Sequence, residues 1–131
     1  MRFSRGLAIV AGIVLPIGET IRRWHQLGDP AMWMPWLDDW AIGAFLLWGA
    51  WRTRRDVAAG RHVLAAAWDF ACGLGYASFG FSLANPGAAD ASGISMPIVA
   101  AVKGAMLLLG IVALAATLRS KPAVSPDVQP L

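Results

Sequence analysis

Two stretches of this sequence are too long and too apolar to be ordinary strands or loops. One runs from Val63 to Ala84 with a single formal charge, Asp69. The other runs from Met96 to Leu118 and is interrupted only by Lys103. A helix that crosses a bilayer needs about 20 predominantly apolar residues, and both runs reach that length. Asn85-Pro86-Gly87 closes the first with turn residues. Composition points the same way: 57% of the residues are hydrophobic and 15% charged, against about 45–50% and about 25% in soluble domains.

Two further apolar runs, Leu7 to Gly18 and Trp40 to Trp51, are shorter. Each covers about 18 Å as a helix, against a hydrocarbon core of about 30 Å. To cross, the first must extend through Glu19, Thr20, Ile21, Arg22 and Arg23 to Trp24. The second must extend back through Asp39 and Asp38 to Trp36, because Arg52, Arg54 and Arg55 close its other end. The expected architecture is an all-α membrane protein, a four-transmembrane-helix bundle over residues 1–121 with spans at about 5–24, 36–52, 62–84 and 96–118. Residues 122–131, rich in proline, read as a disordered cytoplasmic tail. The N-terminus has the basic-then-apolar pattern of a secretory signal, but no small-x-small cleavage site follows Gly18, so it reads as a first span.

Lys and Arg accumulate on the cytoplasmic side of short loops. Arg2, Arg5, Arg52, Arg54, Arg55, Arg61, Arg119 and Lys121, eight of the 11 basic residues, fall on one side of the expected bundle. The threading is therefore N-in/C-in, with an expected location in the bacterial inner (plasma) membrane. Trp24, Trp33, Trp36 and Trp40 fall at the outer boundary and Trp48 and Trp51 at the inner one, as in an interfacial belt. Trp33, Trp36 and Trp40 also have the spacing of one aromatic face over an outer opening. The net charge of +3 reads as this cytoplasmic excess. No basic run is suitably interleaved with aromatics for nucleic acid.

Ionisable residues within spans cost roughly 2.5–3.5 kcal/mol on insertion scales, so they are expected to face the bundle and find partners. Glu19 lies about 18 Å above Leu7, and Lys103 about 10 Å below Met96. The two share a layer, which predicts a Glu19–Lys103 ion pair between the first and fourth spans. Together with Arg22, Arg23, Asp38 and Asp39 they form an expected outer polar cluster, either a structural lid or the vestibule of a ligand site. On the third span, His62, Asp69 and Tyr76 recur every seven residues and so share a face. That face is a candidate polar seam or proton path. Ala67, Ala71 and Gly75, and separately Gly73 and Ala77, have the small-xxx-small spacing of close helix packing.

Chemical motifs are absent: no His-Glu-x-x-His, P-loop or Gly-x-Ser-x-Gly sequence occurs. The lone Cys72 excludes an internal disulfide. No catalytic residue, metal site or cofactor is expected. In size, span number and an acid in the first span, the chain resembles the small multidrug-resistance transporters in outline. Its strong Lys/Arg bias departs from their antiparallel dual-topology assembly, and no residue role carries over. The leading expectation is a small polytopic membrane protein that binds or transports a small polar or charged solute, with proton coupling through Asp69 as a variant. An accessory or scaffolding subunit is the second reading, and a membrane-embedded enzyme acting on a lipid or quinone the third. The bilayer is the expected partner, with a homo-oligomer or a membrane partner protein beside it.

Overall fold

A computed structural model of the protein describes residues 1–120; the expected tail, 122–131, lies outside the described residues. The described chain forms four long helices and no strand: α1 (Arg2–Arg22), α2 (Trp33–Arg55), α3 (Val57–Ala84) and α4 (Met96–Arg119). Two 3-10 turns, Trp24–Gln26 and Pro30–Met32, join α1 to α2. Of the four helices, α1 and α4 are long and apolar enough to cross a membrane by length and composition. The other two fall short of the four apolar spans expected from sequence. Asp38, Asp39 and the three closing arginines dilute α2, while Asp69, the glycines and Tyr76 dilute α3.

Local chemistry sets the helix ends. α3 starts at Val57 because Asp56, in extended conformation, caps it with hydrogen bonds from the Ala58 and Ala59 amides. This leaves one non-helical residue between α2 and α3 and forces a tight antiparallel hairpin. At the other end of the bundle, Gly93, at φ +74°, takes a backbone conformation that only glycine adopts cheaply. The turn leads into Ser95 and then Pro97 in the first turn of α4.

Each helix packs chiefly on the next in sequence, and α1 and α4 touch far less. Bare backbone makes the closest approaches. A Cβ on Gly60 would lie 2.4 Å from the Thr53 nitrogen, and one on Gly49 would lie 2.9 Å from the Leu64 Cα. Where α1 crosses α2, a Cβ on Gly43 would lie 2.7 Å from the Gly12 carbonyl oxygen. Pro16 has no N–H to bond that carbonyl within α1. Its ring packs over Gly43 instead. The core is small in volume: Ala8, Ile42, Leu46, Ala50, Leu64, Ala67, Trp68 and Ala113.

A buried polar node joins three helices at the end of the bundle that carries Met1 and Ser120. Trp68 Nε1 donates to Ser4 Oγ at 2.9 Å, Ser4 and Thr117 hydroxyls meet at 2.5 Å, and Thr117 Oγ1 donates to the Ala113 carbonyl at 2.8 Å. Arg61 donates to the Ser120 carbonyl and so satisfies the C-terminal end of α4.

The glycine contacts make opposite demands on two positions of α3. Gly60→Ala places a methyl into the α2 backbone and should destabilise the protein by about 1–3 kcal/mol. Gly73, which has open space around it, should tolerate Ala and gain up to about 1 kcal/mol of helix propensity. Thermal denaturation of the two variants under one set of conditions checks the contrast.

Candidate functional site

Between the helices lies a cavity of about 720 Å³ lined by all four of them and by the loop before α4. Its existence follows from side-chain size. Ala71, Gly75 and Gly110 line it where larger residues would fill it. Ala67 of the same α3 series is buried in the core, so one small-residue stripe serves both packing and volume.

Charged groups collect at the end remote from the termini. Glu19, Arg22, Arg23, Asp38, Asp39 and Lys103, the six residues of the expected outer cluster, all line this cavity, joined by Asp90. Glu19 Oε2 accepts from Arg22 Nε at 2.7 Å and Oε1 accepts from Arg22 Nη2 at 2.7 Å. Arg23 Nε donates to the same Oε1. These partners stand three and four residues on along α1, where helix geometry brings side chains together. Arg22 then reaches across to the loop, and Nη1 donates to Asp90 Oδ1 at 2.5 Å. Glu19 is 11% exposed and Asp90 7%, so these pairs are withdrawn from bulk water.

The Glu19–Lys103 ion pair expected from sequence is not formed. Lys103 Nζ donates to Ser82 Oγ at 2.9 Å and lies 3.5 Å from the Ser78 carbonyl. Equal depth placed the two residues in one layer, but Lys103 turns toward α3, and local arginines take both Glu19 oxygens. Asp38 and Asp39 have no ion-pair partner among the described residues.

His62, Asp69 and Tyr76 do share one face of α3, but it is the outward face, and all three side chains are exposed. None lines the cavity. The expectation that this seam turns into the bundle is corrected by the rotation of α3, which points Leu64, Ala67 and Trp68 inward. Trp33, Trp36 and Trp40 likewise stand clear of the cavity. Trp36 and Trp40 both donate to Thr20 Oγ1, and Trp33 donates to the Leu27 carbonyl. No group of metal-binding side chains occurs among the described residues.

Asp90 and Ser82 are site residues that stand outside the expected cluster. Asp90 was detectable in principle, since two adjacent arginines with one nearby glutamate need a second anion. Burial alone would raise the Asp90 carboxyl. Hydrogen bonds from the Ser92 hydroxyl and amide and from Arg22 outweigh it and hold the carboxyl down at about 2.

Comparisons with protein-family models, curated proteins and solved structures find no match.

Two outcomes follow from this geometry. In a double-mutant cycle, Glu19→Gln and Arg22→Met should couple by about 1 kcal/mol or more, whereas Glu19→Gln and Lys103→Met should be additive within about 0.5 kcal/mol. The lowered Asp90 pKa means that its contribution is complete above pH 3.8, the ordinary value, and is lost as pH falls through about 2. A spin label at Ala89 should be immobilised at pH 7, mobilise as the pH falls from 4 toward 2, and be mobile throughout in Asp90→Asn.

Proposed function

We propose that this protein is a four-span integral membrane protein with both termini on the cytoplasmic side, and that it binds a small polar or charged ligand in the cavity between its helices. The cavity carries the reading: a space in the small-molecule size range of about 300–1,000 Å³, with seven ionisable side chains at one end. That end, which also carries Trp24 and Trp33, corresponds to the outer side of the membrane.

The exterior supports the membrane assignment. Ile13, Ile17, Phe70, Leu108 and Val112 are all exposed on the bundle surface, an amount of apolar surface that soluble monomers rarely present. Exposed tryptophans flank this band, Trp24 and Trp40 toward one end and Trp48 and Trp51 toward the other, which suits headgroup level. Arg55 stacks on the Trp51 ring at 4.6 Å, uniting a cytoplasmic charge with a belt aromatic.

One observation favours a second reading, an accessory subunit. Asp69, partway along α3, faces outward with His62 and Tyr76, and an outward carboxyl within a bilayer requires a partner. Docking of another membrane protein on this face would supply one.

Composition of the complex extracted from its native membrane in mild detergent separates the two. A monomer or homo-oligomer carrying a reproducible small molecule supports ligand binding. A stoichiometric second protein, lost in Asp69→Asn, supports the subunit reading. Threading is read by an impermeant thiol reagent in a Cys72→Ser background. Ala89→Cys should label in intact cells and Arg119→Cys only after lysis; the reverse pattern overturns the topology.

A further inference from the structure

We propose that the ligand is a single-chain amphiphile with a zwitterionic head, admitted sideways through a gap between α1 and α4. This rests on the reading of the cavity as a ligand site and adds the chemical class and the route.

The gap is visible in the exposure of residues that line the cavity. Val10, Val14, Ile98, Val102, Met106 and Leu109 all contribute to its wall, yet Val14 is 58% exposed, Ile98 57% and Leu109 51%. A side chain can do both only where the wall is open. The opening runs between α1 and α4, which touch far less than helices adjacent in sequence do. It is closed at one end by the Ser4–Thr117 hydrogen bond and at the other by the Arg22–Asp90 ion pair. Its rim is entirely aliphatic or thioether. Such a rim faces hydrocarbon without cost and gives water or a bare ion nothing to bind.

Polarity inside the cavity is graded along its length. Every charged lining residue stands at the end remote from the termini. From Val14 on α1 and Met106 on α4 toward Leu7 and Gly110, the lining holds no charged side chain. Glu19 to Leu7 spans about 18 Å. A wholly polar solute would occupy the charged end and leave the longer apolar part unfilled. An extended chain fills it.

The head follows from which charges are already neutralised. Glu19 and Asp90 together satisfy Arg22 and Arg23. Lys103 is held only by a hydroxyl and a carbonyl, both neutral. Asp38 and Asp39 stand on α2, across the cavity from α4, without an ion-pair partner among the described residues. One cation and two acids of the same cavity thus stand without an ion pair among the described residues. A head carrying a phosphate or carboxylate for Lys103 and an amine for Asp38 and Asp39 complements all three.

The test is native mass spectrometry of the full chain in a non-ionic detergent, titrated with dodecanoyl-lysophosphatidylethanolamine and, separately, with phosphoethanolamine as the head alone. The expected result is a single one-to-one lysolipid adduct and no comparable adduct with the head. The adduct should weaken about tenfold in Lys103→Met and in the Asp38→Asn, Asp39→Asn pair. It should also weaken in Ala71→Phe, which fills the apolar part, and be unchanged in Tyr76→Phe on the outer face. If Ala71→Phe does not fold, Val14→Trp at the gap serves in its place. Several adducts indifferent to these cavity substitutions would mean surface lipid only and overturn the proposal. Phosphoethanolamine binding as tightly as the lysolipid would overturn the amphiphile while leaving a polar-solute site standing. Absence of both adducts would sink the site and the inference together. A dimer that binds neither and separates on Val14→Trp would assign the gap to a second copy.

Discussion

Three of the four helices are tied together by a hydrogen-bonded node of three side chains. Ser4, Trp68 and Thr117 come from α1, α3 and α4 and meet where water does not reach. A buried hydroxyl or indole N–H left unpaired costs about 1–3 kcal/mol, so each of the three helices is held in the one register that pairs the set. Around the node the packing is dense, with Ala8, Leu46, Leu64 and Ala113 fully covered. Away from it, α1 and α4 lose contact and the cavity begins. The site is thus a product of tight closure at one end and of small side chains on the walls above it.

The charged end obeys a different rule. Helix geometry gives Glu19 two cations within its own next turn, and a partner three or four residues away needs no tertiary arrangement to be found. The local pairs win, and only the surplus charge on Arg22 is left to reach the loop at Asp90. This division separates charges that organise the fold from charges that remain open. Lys103, Asp38 and Asp39 are in the second group.

Much of this was legible in the sequence because apolar run length and turn chemistry are one-dimensional signals. The helices lie close to where the runs, Asn85-Pro86-Gly87 and the flanking arginines placed them, and the six residues of the expected outer cluster do meet at one cavity. Rotation about the helix axes was legible only in the Ala67, Ala71 and Gly75 stripe, which does turn inward on α3. Depth put Glu19 and Lys103 level, and spacing put His62, Asp69 and Tyr76 on one face, but neither says which way that face turns. The rotation of α3 is decided by Gly60 against Thr53 and Gly49 against Leu64, contacts that involve residues with no side chain to read. The Ser4–Trp68–Thr117 node was equally hidden, since its members lie 64 and 113 residues apart.

Because each helix packs mainly on its neighbour in sequence, most helix–helix contacts close only the loop of a single hairpin and are quick to form during folding. The exception is the junction of α1 with α4, which closes a loop of almost the whole chain and carries the largest closure entropy. The expected order of assembly is a ribbon of three helix pairs whose two free edges meet last. The cavity has no separate existence before that seam is joined, so a chain halted one helix short has the charged groups of α1 and α2 in place but no chamber for them to guard.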